Sequence, residues 1–263
     1  MRVMLSYPKS GRTWMRFMVD SYLCRLFELD CRNVFEAEHL LRGRMPVEWT
    51  HLTGAMVMRR YYWEMGPLAL NGAEGGLWVL LTRNFRATLA SAYYQARDRV
   101  RVFEGTPAQF VRDPRYGIIK LVTFYNMWEQ VRPKLPRHTI VSYESLLRDT
   151  RNTFTQVLGA LRIDIHDALV HKVVAEATFE QMKALSVTED YHGTVLAPTD
   201  PDRPETYKVR QGGQSKSEMF DAEDIAYIDD VVNRLFSAQD DPIYRDCLGE
   251  PMKMPTNEQR AAG

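Results

Sequence analysis

Lys9, Ser10, Gly11, Arg12 and Thr13 lie between a short apolar run, Val3-Met4-Leu5, and an amphipathic one from Met15 to Phe27. Two cations, two hydroxyls and a glycine in a strand-to-helix turn make a cradle for an oxyanion. The free N–H groups of a helix start point at the anion, and the helix dipole favours its charge. Lys9 supplies a mobile point charge and Arg12 a fixed, planar one. Gly11 lets the backbone approach a ligand, and Pro8 fixes the chain direction ahead of the turn. The nucleotide-triphosphate loop G-x-x-x-x-G-K-[ST] does not fit, because Lys9 precedes the turn's only glycine, and no G-x-G-x-x-G follows.

A second anion site is spaced along Thr82-Arg83-Asn84-Phe85-Arg86 and the residues up to Tyr94. Arg83 ends an apolar run, where a guanidinium can grip a phosphate bidentately. Ser91 comes eight residues later, two turns into the following helix, and can serve the same anion. Group transfer from a bound anion also needs a base. Of six histidines, His51 lies between the two anion motifs, in Glu48-Trp49-Thr50-His51-Leu52, and its ordinary pKa suits the task.

These residues need a frame that brings strand ends together. Leu77 to Leu81 and His138 to Tyr143 read as strands; Phe85 to Ala96, Ile118 to Arg132 and Asp149 to Leu161 read as helices, and Ile165 to Leu185 as one or two more. Strands separated by helices predict crossovers: an α/β fold with a central parallel β-sheet flanked by helices. Ligands of such sheets sit at the carboxyl ends of the strands, where both anion motifs fall. The 263 residues suit one domain, read as 1–249 with a flexible tail over 250–263. Net charge is zero, which disfavours bulk binding to nucleic acid or an acidic membrane surface. No run is apolar and long enough to span a membrane. Cys24, Cys31 and Cys247 read as three thiols in a reducing compartment, with no cysteine–histidine spacing for zinc, so no metal is expected. A soluble cytoplasmic protein without a leader is the expectation.

The string Tyr7-Pro8-Lys9-Ser10-Gly11-Arg12-Thr13-Trp14 closely resembles the 5′-phosphosulfate loop, YPKSGTTW, of sulfotransferases that use 3′-phosphoadenosine-5′-phosphosulfate (PAPS). Arg12 departs from the usual Thr. The resemblance implies a P-loop-like fold, PAPS as sulfuryl donor and adenosine 3′,5′-bisphosphate (PAP) as product. It implies that Lys9, Ser10, Gly11, Arg12 and Thr13 hold the 5′-phosphosulfate, with Lys9 also catalytic, and that Trp14 packs on adenine. Arg83 to Tyr94 is similar to the 3′-phosphate motif R-N-P-x-D-x-x-x-S-Y-Y, which places Arg83 and Ser91 on the 3′-phosphate; Phe85 and Arg86 replace its Pro and Asp. Val141-Ser142-Tyr143-Glu144 resembles the strand end whose Tyr lies near adenine. Ala177-Thr178-Phe179-Glu180-Gln181-Met182-Lys183 resembles T-S-F-x-x-M-K, which closes over the base through Thr178 and Phe179. Tyr207 to Lys216 looks like R-K-G-x-x-G-D-W-K, the loop that returns to the 3′-phosphate; Arg210, Gln211 and Gly212 take those places, with Gln211 in place of Lys.

Thr50-His51-Leu52 matches part of K-T-H-L-P, whose His is the base in cytosolic members. Glu48 is the reserve, since some carbohydrate sulfotransferases use a carboxylate. The expected reaction is in-line sulfuryl transfer to a hydroxyl or amine of a small-molecule or carbohydrate acceptor. Acceptor loops are expected over 42–63, 96–116 and 186–204. A homodimer stays open, although the short C-terminal dimer motif of animal members has no copy here. Two other readings stand beside this one: a magnesium-dependent nucleotide kinase, and a non-catalytic protein that binds the nucleotide without a base.

Overall fold

The computed structural model describes residues 1–41, 44–68, 70, 74–202, 207 and 219–249. At its centre is a parallel sheet of β1 (Arg2–Ser6), β2 (Val47–Thr50), β3 (Leu77–Thr82) and β4 (His138–Ser142), in the spatial order β2-β1-β3-β4. Strand β3 is buried along its whole length, because helices cover both faces of the sheet. Alternation along the strands divides the core. Val3, Leu5, Trp78 and Leu80 face one apolar cluster; Met4, Val79 and Leu81 face the other. Edge strand β2 has mixed polarity, Val-Glu-Trp-Thr, which a search for apolar runs does not mark.

The helices are α1 (Arg12–Leu26), α2 (Ala37–Leu40), α3 (Phe85–Tyr94), α4 (Pro107–Arg112), α5 (Ile118–Val131), α6 (Tyr143–Arg148), α7 (Thr150–Ala160), α8 (Asp167–Glu176), α9 (Phe179–Leu185), α10 (Ala222–Leu235) and α11 (Arg245–Leu248). Helices α3, α5 and α10 cover the first core cluster; α1, α7 and α8 cover the second. The segment 165–185, read as one or two helices, is two, because Thr178 breaks it and caps α9 by accepting from Gln181 N at 3.2 Å. The helix expected through Ala96 is α-helical only to Tyr94; a π-turn, Gln95–Arg99, follows.

From β1 the chain crosses to β2 on one side, then to β3 on the other. The carboxyl end of β1 is therefore the point where the sheet order reverses, and such points open a crevice for ligands. All four strands end on one edge of the sheet, so Tyr7, His51, Arg83 and Tyr143 each follow a strand end on that edge.

One expectation is corrected. Cys24 and Cys31 form a disulfide, with Cα atoms 6.4 Å apart. Helix α1 stops at Leu26 and the chain doubles back, with Leu29 N donating to Cys24 O at 2.8 Å, which carries Cys31 to Cys24. Sequence spacing alone does not show that reversal. Cys247 is the free cysteine, and it is buried. The thiol argument for a reducing compartment falls with the pairing. Among the described residues no helix is long and apolar enough to cross a membrane.

Candidate active site

The loop between β1 and α1 is shaped by two residues in the left-handed region, Lys9 (φ 76°) and Gly11 (φ 93°). Left-handed backbone at a lysine is unfavourable and must be held by the surrounding structure. No side chain caps α1, whose N-cap is Gly11, and no acidic residue lies in its first turn. The amides of Arg12 and Thr13 thus begin a 15-residue helix with their dipole unopposed. Arg12 is half-buried. Burial, and then the nearby Arg16 cation, push its pKa down to about 10.

Arg83 and Tyr143 reach this loop by named contacts, Trp14 ties the start of α1 to the Ala177 segment, and His51 reaches the end of β1. The Arg83 Nη1 donates to the Lys9 carbonyl at 2.8 Å, and its guanidinium lies 4.4 Å from the Tyr143 ring centroid. That ring packs on Gly11: a Cβ there would fall 2.4 Å from Tyr143 Cδ2. Trp14 meets Tyr143 edge-on at 5.9 Å, and its Nε1 donates to Ala177 O at 2.8 Å, beside Thr178 and Phe179. On the other side His51 Nδ1 lies 2.7 Å from the Ser6 carbonyl and 3.3 Å from Ser6 Oγ. A carbonyl only accepts, so Nδ1 carries the proton and the neutral ring has its lone pair on Nε2.

Ser91 lies buried on α3, and no hydrogen bond joins it to Arg83. Glu48 pairs with Val3 in register, two residues (about 7 Å) short of the end of β2. It is exposed and remote from the loop contacts that hold His51. Arg210, Gln211 and Gly212 lie outside the described residues. Tyr207, just before them, stacks under the Lys183 ammonium of α9 at 5.7 Å, and Phe220, just after, is buried in the first core cluster.

Two buried donors test whether a phosphorylated ligand fits. Ser10 Oγ and Arg83 Nε have no hydrogen-bond partner among the described residues. Tyr125 lies close enough to Ser10 to feel its hydroxyl, but its own oxygen also lacks a bond. A buried donor without an acceptor is destabilising by roughly 1–3 kcal/mol. A hydroxyl and a guanidinium N–H flanking Lys9 are suited to anionic oxygens, so the residues fit the expected group.

Several supporting residues were not legible as site residues. Ser6 positions His51. Lys9 Nζ donates to Gln95 Oε1 at 3.3 Å. Asn84 caps α3, accepting from Ala87 N at 3.0 Å, while its own N–H donates to Glu144 Oε1 at 3.1 Å. Burial pushes the Glu144 pKa up, and the carboxyl ties the ends of β3 and β4 together. An Asn directly before a helix is the one sequence signal among these. The contacts of Ser6 and Gln95 depend on the fold.

A family model described as the sulfotransferase domain matches residues 78–240, more than half of the 263. The chain belongs to the sulfotransferase family. The matched region holds Arg83, Ser91, Tyr143 and Thr178, while the Lys9 loop precedes it. Among curated proteins this sulfotransferase-family chain is 23% identical to human sulfotransferase 2B1 over 229 residues, covering 79% of this chain and 58% of that protein. It is 22% identical to a WSCD family member of Aedes aegypti, covering 78% of this chain and 64% of the other. The chain thus spans about three-fifths of the length of the curated relatives it matches. Among solved structures, mouse sulfotransferase SULT7A1 complexed with PAP aligns with a TM-score of 0.63 at 18% identity, over 91% of this chain and 84% of that one. Retinol dehydratase in complex with androsterone and PAP aligns with a TM-score of 0.59 at 14% identity, over 94% and 82%. At these identities the likeness is one of fold, and it agrees with the single α/β domain and parallel sheet described above.

Proposed function

We propose that the chain is a PAPS-dependent sulfotransferase, with residues 1–249 forming its catalytic domain. The observation that carries this reading is convergence. Residues that follow β2, β3 and β4 meet the end of β1 and its loop, beside two buried donors that no described residue satisfies.

Lys9, Ser10, Arg12, Thr13 and the Gly11 backbone would hold the 5′-phosphosulfate. Arg83 and Ser91 would hold the 3′-phosphate, joined by Arg210, Gln211 and Gly212. Trp14, Tyr143, Thr178 and Phe179 would wall the adenine. When bound, PAPS supplies an activated sulfuryl group. His51, fixed by Ser6 through Nδ1, presents Nε2 to take the proton of an acceptor hydroxyl or amine. Lys9 stabilises charge developing on the phosphate side, as a preorganised cation. The position of His51 supports it over Glu48 as the base. The acceptor is a small molecule or a carbohydrate. The Cys24–Cys31 disulfide withdraws the ground for a cytoplasmic location, so the proposal assigns no compartment.

Incubation with radiolabelled PAPS and a panel of phenols, sterols and amino sugars, with and without EDTA, tests this reading. Label appearing on an acceptor in both conditions supports it. No labelled product, together with magnesium-dependent phosphate transfer from ATP, overturns it in favour of the kinase.

A further inference from the structure

Lys9 is held at both of its ends. Arg83 binds its carbonyl at 2.8 Å, and Gln95 accepts a hydrogen bond from its ammonium at 3.3 Å. Gln95 is not part of any motif that builds the loop. It is the first residue of the π-turn that ends α3, one turn beyond Ser91. A π-turn shifts the helix register, so side chains past Tyr94 leave the α-helical face; such turns recur at functional sites. The same turn is anchored at its far end, where Arg99 Nη2 donates to Ala197 O at 2.8 Å. Arg97 is fixed alongside, paired with Asp98 at 2.7 Å and lying 4.9 Å from the Tyr93 ring.

The chemical type of the tether matters. A carboxylate at this place would hold Lys9 more strongly, but it would neutralise the cation and set a negative charge beside the anion that the loop is built to bind. An amide oxygen directs the ammonium and leaves its charge intact. Reach also fits: Lys9, in the left-handed region at φ 76°, brings its Nζ within 3.3 Å of Gln95 Oε1.

We infer that Gln95 is a positioning residue: it aims the Lys9 ammonium at the 5′-phosphosulfate without neutralising it. The inference rests on the PAPS reading. It assigns Gln95 to the 5′-phosphate side alone, since Arg83 and Ser91 serve the 3′-phosphate.

Calorimetric titration with PAP and with adenosine 3′-monophosphate, which lacks the 5′-phosphate, separates that role from a general structural one. Gln95→Glu adds a charge at nearly constant shape. It should weaken PAP by about tenfold or more, through like-charge opposition, and leave adenosine 3′-monophosphate unaffected. Gln95→Leu removes the tether without a charge and should weaken PAP by a smaller factor. Equal PAP affinity in wild type and Gln95→Glu overturns the inference. So does an equal loss for both nucleotides, or an equal loss in both variants. Wild-type protein that binds neither nucleotide overturns the cofactor reading itself, which is a different failure.

Discussion

The Arg83 guanidinium donates to the Lys9 carbonyl over 2.8 Å while lying 4.4 Å from the Tyr143 ring. One side chain therefore joins the ends of β1, β3 and β4, and does so through a planar fork. Lysine has the charge but not the plane or the directed pair of donors. Arg83→Lys should weaken PAP by about tenfold or more, the worth of a hydrogen bond to a charged group, and weaken AMP less, because AMP lacks the 3′-phosphate. The two titrations check it; equal losses for PAP and AMP would contradict a 3′-phosphate role.

Gly11 is constrained twice, by φ 93° and by the Tyr143 ring 2.4 Å from where a Cβ would lie. Gly11→Ala should destabilise the protein by about 1–3 kcal/mol and displace Tyr143 from the loop. Thermal unfolding and PAP titration on the same sample measure both effects. An alanine variant with unchanged melting temperature and PAP affinity would show that the loop is not built as described.

His51 is oriented by Ser6, whose carbonyl lies 2.7 Å from Nδ1. His51→Ala should retain PAP affinity and lose about 10²- to 10⁴-fold in turnover. Loss of turnover in Glu48→Ala, with His51→Ala active, would move the base to the carboxylate.

Much of this site was legible because its parts are local. A strand, a turn with Lys9 and Gly11, and a helix start form one continuous segment, and Arg83 with Asn84 form another. Local chemistry also marked β1 and β3 as apolar runs and β4 by its β-branched Thr-Ile-Val stretch. Strand β2 was not legible, since Val-Glu-Trp-Thr is four residues long with one buried position and carries no apolar or β-branched run. Contacts between segments were out of reach as well: Gln95 on Lys9, Glu144 on Asn84 and Trp14 on Ala177 depend on tertiary register. The Cys24–Cys31 disulfide was misread because the chain reversal after Leu26 leaves no mark in the cysteine spacing.

Asp20 is buried in α1, with Arg16 Nε 3.1 Å from its Oδ2. Burial pushes its pKa up to about 7, against the opposing pull of Arg16. A native pKa above the unfolded one means that the fold favours the protonated acid. That contribution is full below about pH 4 and is lost as pH rises through about 7. Asp20→Asn cannot ionise, so its melting temperature relative to wild type should rise between about pH 5 and pH 8, by a few degrees per kcal/mol. A difference that stays flat or falls over that range would contradict a raised Asp20 pKa.

On the proposed reading, the loop at Lys9 and the residues gathered on it hold a nucleotide carrying both a 3′- and a 5′-phosphate. Calorimetric titration of the wild-type chain with PAP, against AMP and ATP, with and without magnesium, tests it most directly. PAP should bind tightly without the metal, and affinity should fall sharply when the 3′-phosphate is missing. Preference for ATP with magnesium, or no binding to any of the three, would contradict it.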